Sequence, residues 1–96
     1  MRPMNKTPER LKRKWRENPP LRCERWQEGN CEGRLTKEHV FTYAGKQIQE
    51  EWAIIDLCWR HHLGDLLDKR INEQIAKSRA TDEDRKKYPR LKKIQL

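Results

Sequence analysis

Cys23, Cys31, Cys58 and His61 bring together three thiols and one imidazole, the donor types that Zn²⁺ prefers. Cys58-Trp59-Arg60-His61 has the two-residue spacing of a metal knuckle, and Cys23 with Cys31 offers the other half of a tetrahedron. Seven residues separate Cys23 from Cys31, where roughly two to four are usual. The spacing favours His61 over its neighbour His62 as the fourth ligand. Four protein ligands leave no open position, so such a zinc is structural. Any chemistry then falls to the residues the zinc holds in place, namely Glu38, His39 and His62. The plainer alternative is three buried free thiols, a strand histidine bonded to backbone, and Glu32 and Glu38 as surface carboxylates facing lysines. Free cysteine is often buried, but three in so polar a chain, one of them in a C-x2-H pair, favour a metal.

These residues need elements to position them. Residues 1–20 read as a basic N-terminal arm, with a short helix capped by Thr7, started by Pro8 and ended by Asn18-Pro19-Pro20. Only Leu11 and Trp15 share an apolar face on it. Gly29 and Gly33 mark turns beside the cysteines. Residues 35–41 form a predicted strand, a loop surrounds Ala44-Gly45-Lys46, and a helical turn is predicted over 47–52. Ile54-Ile55-Asp56-Leu57 is the second strand and runs directly into Cys58. The rhythm of Leu63, Leu66, Leu67, Arg70, Ile71 and Ile75 predicts one helix over 60–78 with Leu66, Leu67, Ile71 and Ile75 as its core face. Thr81-Asp82-Glu83-Asp84 caps a last short helix that stops at Pro89. The fold class is therefore α+β: a small zinc-stapled β-hairpin followed by a helix over 21–78, with the arm before it and a basic helical tail over 79–96. Trp26, Trp52 and Trp59 are expected in the small core. Adjacent strand side chains face opposite ways, so Glu38 and His39 share a crevice only if the strand bends or ends there.

Composition narrows the setting. With 96 residues, 33% hydrophobic and 40% charged, the core is thin, and domains of this size commonly need a metal, a disulfide or a partner. An odd count of three cysteines argues against a disulfide framework. No apolar run serves as a signal peptide or a membrane span, so a reducing cytoplasm and no membrane partner are expected. A formal charge of +8 and a pI near 9.7 point to an anionic partner, and nucleic acid fits best. The basic residues crowd 6–16 and 85–93. Lys12, Arg13, Lys14 and Arg16 on the arm, with Lys69 and Arg70 on the helix, are the candidate phosphate contacts. Lys77 and Arg79 extend the same solvated face.

The run Cys31-Glu-Gly-Arg-Leu-Thr-Lys-Glu38-His39-Val40, followed by Leu57-Cys58-x-x-His61-His62, resembles the HNH endonucleases, the ββα-metal or His-Me finger nucleases. Small zinc-containing members of that family are frequent in phages, which would place the chain in a host cytoplasm. The resemblance covers roughly residues 21–70. It implies a ββα-metal fold and metal-dependent hydrolysis of DNA, duplex or branched, to a 5′-phosphate and a 3′-hydroxyl. By position it implies His39 as general base, and Glu38 and His62 as ligands of one catalytic divalent ion beside the structural Zn²⁺. Imidazole suits the base role because it titrates near neutrality. Mixed nitrogen and oxygen ligation suits Mn²⁺, Co²⁺ or Ni²⁺ better than Mg²⁺. One position departs from the pattern: the motif's middle Asn, which helps hold the loop that orients the histidine, is Ala53. Gln47, Gln49 and Trp52 are the candidates to replace it.

Two rival functions follow from the same residues. A zinc module on a degenerate nuclease scaffold would bind DNA, or recruit a partner to it, without cutting. A zinc-built interaction domain would instead attach through its basic ends to an acidic protein.

Overall fold

The structure is a computed structural model and describes residues 7–95. The first six residues of the arm, Lys6 among them, lie outside the described residues. Helix α1 (Glu9–Glu17) starts with Pro8 in the cap position, whose carbonyl accepts from the Leu11 and Lys12 amides at 3.1 and 3.2 Å. Proline has no N–H to lose there, so the helix begins cheaply. Leu11 is its one buried residue, and the Lys37 ammonium lies 4.2 Å from the centre of the Trp15 ring.

Strand β1 (Leu35–His39) pairs antiparallel with β4 (Ile54–Cys58), with Leu35 opposite Cys58 and His39 opposite Ile54. Ile55 and Leu57 of β4 are fully buried, which contributes roughly 1.5–3 kcal/mol for each side chain. The segment between the strands carries a small second hairpin absent from the sequence expectation, β2 (Thr42–Tyr43) and β3 (Lys46–Gln47). Ala44 and Gly45 turn it with φ of 53° and 80°, the paired positive φ of a tight two-residue hairpin turn. A single 3₁₀ turn, Glu51–Ala53, leads into β4.

The helical stretch expected over 60–78 is two helices. One turn, α2 (Trp59–His62), follows β4 directly, and α3 (Lys69–Arg79) begins after a break. A Cβ at Gly64 would lie 2.9 Å from both the Arg60 backbone and the Trp59 ring, so the chain passes where no side chain fits. Asp68 then starts α3 by accepting from the Arg70 and Ile71 amides. The break resets the helical phase, and the core face changes with it. Leu63 and Leu67 are exposed at 64% and 39%, while the buried residues of α3 are Asn72 and Ala76. Trp52 is buried as expected, but Trp26 and Trp59 stand 42% and 50% exposed; the arginine of Arg22 stacks on the Trp26 ring.

Helix α4 (Asp82–Lys87) has the expected cap, with Thr81 and Asp84 bonded reciprocally. Residues of the basic C-terminal stretch enter the core: Ile94 is fully buried with Phe41, Ile48, Trp52, Ala53, Ala76 and Ala80, and Tyr88 and Leu91 pack against them. A second cluster holds Cys23, Ile55, Leu57 and Cys58. Val40, just after β1, packs against both. Among the described residues no helix is long and apolar enough to cross a membrane.

Candidate metal centre and adjoining cleft

The donor atoms of Cys23, Cys31, Cys58 and His61 all lie within 4.8 Å of one another. The His61 Nδ1 is 3.6 Å from the Cys23 sulfur, 3.7 Å from that of Cys31 and 3.0 Å from that of Cys58. Zinc bonds of about 2.3 Å to sulfur and 2.0 Å to nitrogen make a sulfur–nitrogen tetrahedral edge of about 3.5 Å. The four residues therefore form a possible site for a zinc-like ion. Cys58 ends β4 and serves as the cap of α2, so strand and helix deliver two ligands in rigid register. The Cys31 loop is laced to that turn by the Arg60 and Trp59 amides, which donate to the Glu32 and Arg34 carbonyls at 3.2 and 3.1 Å. At Gly33 a Cβ would meet the Trp59 Cβ at 2.7 Å; glycine is what lets the two segments touch.

The thiols are unequal without a cation. Burial works against ionisation of Cys58, but hydrogen bonds from the Glu32 and His61 backbone and the His61 ring outweigh it and bring the thiol down to about 6. Cys31 is exposed as a residue, yet its sulfur is turned toward Cys23 and Cys58, and desolvation together with those neighbours pushes it up to about 12. Three thiolates this close need a positive charge among them.

Arg25, which the sequence reading missed, clasps this centre. It is 5% exposed, donates to the Leu66 carbonyl at 2.8 Å, and meets Glu28 with two 2.6 Å bonds. The Glu28 carboxyl is held below the ordinary 4.5 chiefly by the Arg25 hydrogen bond. Nothing in the sequence near Arg25 marks it apart from the Arg25-x-x-Glu28 spacing.

His62 leaves the sulfur cluster to its neighbour and turns to β1. Its Nδ1 lies 2.6 Å from the Thr36 hydroxyl, which itself donates to the Leu57 carbonyl at 2.9 Å. A hydroxyl has one proton to give, so Thr36 accepts from His62 Nδ1–H. That holds the ring in place and turns Nε2 to Glu38, whose Oε2 is 3.2 Å away. Two ligands at about 2.1 Å on one ion, at a right angle, are about 3 Å apart; Glu38 and His62 have that spacing. Burial holds the Glu38 carboxyl above its ordinary value, against the opposing pull of His62, His39 and Lys69. Thr36 and Glu38 share a face because strand residues two apart do, a signal the sequence contained.

β1 ends at His39, so the opposed directions of Glu38 and His39 do not separate them: both border one cleft of about 190 Å³, with Lys69 and Asn72 on its α3 side. His39 Nε2 lies 2.9 Å from Gln49 Oε1. With Oε1 accepting, Nε2 carries the proton and Nδ1 keeps the lone pair. Ala53, at the motif's Asn position, is fully buried, and its carbonyl accepts from the Val40 amide at 2.9 Å. The loop after His39 is thus pinned by main chain, while Gln49 supplies the side-chain contact to the imidazole. A larger concavity of about 630 Å³, bordered by Arg10, Trp52 and Arg79, contains no histidine or cysteine; size does not locate the chemistry.

Of the expected phosphate contacts, Lys14 pairs with Glu51 at 2.7 Å and Arg16 with Glu9 at 2.6 Å. Lys12, Arg13, Lys69 and Arg70 have no ion pair among the described residues. Comparison with protein-family models, curated proteins and solved structures gives no match.

Proposed function

We propose that this chain is a metal-dependent, HNH-type endonuclease that hydrolyses DNA phosphodiester bonds, built around a structural zinc on Cys23, Cys31, Cys58 and His61. The observation that carries the reading is the relay from Thr36 through His62 to Glu38, beside a cleft that His39 also borders. Thr36 on β1 anchors the His62 ring, and the half-buried Glu38 carboxyl lies opposite its Nε2. Glu38 and His62 would hold one divalent ion, which when bound supplies positive charge where phosphate charge builds up. His39, with its Nε2–H given to Gln49, takes a proton from the attacking water at Nδ1. Lys12, Arg13, Lys69 and Arg70 supply sequence-independent attraction to the phosphate backbone.

Nicking of supercoiled plasmid across Mg²⁺, Mn²⁺, Co²⁺ and Ni²⁺ tests this, with zinc content measured on the same preparation. Wild-type protein is expected to nick, and His39→Ala to lose on the order of 10²-fold or more. Folded, zinc-loaded protein that nicks with none of these ions overturns the proposal. The second reading, a non-cutting zinc module that binds DNA, rests on Ala53 at the Asn position; it expects salt-sensitive duplex binding and intact strands.

A further inference from the structure

Asn72 is 2% exposed, and neither its Oδ1 nor its Nδ2 has a hydrogen-bond partner among the described residues. Its amide sits on the inner side of α3, one position in a face otherwise continued by Ala76 and the half-buried Ile75. An apolar side chain there would leave no polar group unpaired. A buried amide lacking partners costs roughly 1–3 kcal/mol for each unpaired group, so the site is ill suited to Asn as a packing residue. The same residue borders the cleft that contains Glu38 and His39.

Lys69 stands three residues before Asn72, on the same face of the helix, and borders the cleft too. Its ammonium has no ion pair among the described residues and acts on Glu38 across the opening. Glu73, the other carboxylate at this rim, is already engaged by Lys93 at 2.5 Å. The β1 side of the cleft thus presents Glu38 and His39, and the α3 side offers a cation and an unused amide.

We infer that Lys69 and Asn72 form the seat for a phosphate oxygen of the nucleic-acid substrate, with Lys69 supplying charge from the rim and the Asn72 amide, covered in the unbound protein, turning towards the cleft to donate its Nδ2–H to that oxygen. The inference rests on the nuclease reading and adds the substrate-binding wall to it. It makes Asn72 a substrate contact that requires its amide, which a purely structural asparagine would not.

The test combines a variant with a direct probe of the amide. Asn72→Leu keeps the number and branching of the heavy atoms and removes the unpaired groups. It is expected to melt no lower than wild type while kcat/KM for nicking falls about tenfold to a hundredfold, the range of a hydrogen bond to a charged group. Asn72→Ala serves the same comparison if the leucine variant does not fold. Separately, the ¹⁵N side-chain amide signals of Asn72, identified by their loss in the variant, are followed in zinc-loaded His39→Ala protein with Mg²⁺ as a short DNA duplex is added. They are expected to shift with the duplex. If wild type nicks, and the duplex moves other signals but not those of Asn72, and Asn72→Leu nicks as wild type, the seat is overturned and the nuclease stands. If no ion supports nicking yet inorganic phosphate moves the Asn72 amide, the nuclease reading fails and the anion seat stands.

Discussion

His61 and His62 are neighbours in the chain but serve different centres: His61 presents Nδ1 to three sulfurs, and His62 presents Nε2 to Glu38. On a helical turn successive side chains point about 100° apart, and the single turn of α2 uses that angle to reach both centres. The division has a direct test. His61→Ala is expected to lose the zinc and unfold, since structural zinc sites contribute on the order of 10 kcal/mol to small folds. His62→Ala is expected to keep zinc and circular dichroism but lose divalent-dependent nicking. Native mass spectrometry on both variants decides it; retained zinc in His61→Ala would refute the assignment.

Thr36→Val keeps the size and the β-branch while deleting the acceptor for His62 Nδ1–H. The fold should be unaffected, because a half-buried strand position accepts valine. The apparent affinity for the activating ion should weaken about 10–100-fold, the usual effect of losing a partner that orients a metal ligand. Nicking rate as a function of divalent ion concentration measures it, and an unchanged midpoint counts against the relay.

Gln49 is expected to act on His39 without touching DNA. Gln49→Leu should lower kcat on the order of tenfold to 10²-fold at unchanged duplex affinity, reflecting a misoriented base. Gln49→Glu places a carboxylate on the imidazole, which favours its charged form and should move the acid limb of the pH–rate profile to higher pH. A profile that stays in place would remove Gln49 from the site.

Glu38 carries a stability signature of its own. Burial raises its carboxyl above the unfolded value, so its favourable contribution to folding is complete in acid and is lost as pH rises through the folded value. Glu38→Gln does not titrate. Zinc-loaded Glu38→Gln should therefore melt above wild type in mildly alkaline buffer, with the difference shrinking in mildly acidic buffer. Thermal melts without other divalent ions check this, and the same variant should fail to nick.

The paired and unpaired arginines and lysines should separate in salt titrations of duplex binding. Each phosphate contact removed lowers the slope of log affinity against log salt by about 0.9. Lys12→Ala and Arg13→Ala are expected to show that loss. Lys14→Ala should show less, because Lys14 is already engaged by Glu51.

What was legible in the sequence was whatever a short spacing encodes. The C-x2-H pair, the two strands flanking the insert, the Thr81 cap and the stop at Pro19-Pro20 all depend on residues close in the chain. What escaped depends on tertiary approach. The break at Gly64 follows from the Trp59 ring lying over the backbone, which no periodicity count contains. Once the phase was reset there, Leu67 lost its expected place in the core and Asn72 gained one. Arg25 and Asn72 look like ordinary polar residues in sequence, and only the distances show one clasping carbonyls and carboxylate and the other bordering the cleft unpaired. Thr36 lies between these cases: its two-residue offset from Glu38 was readable, but its bond to His62 spans the whole insert.

The direct passage of β4 into α2 at Cys58 has a consequence for how the protein would be assembled in a cell. The sulfur cluster and the cleft hang from the same two strands, yet the cluster uses no residue of the cleft. Stripping the cluster would dismantle both, whereas a chelator too weak to reach the thiols would empty only the cleft. On the nuclease reading proposed above, loading would run in one order, the deep ion first and the working ion second. Scarcity of the first would switch the chain off at the level of its shape, before any catalysis is at stake.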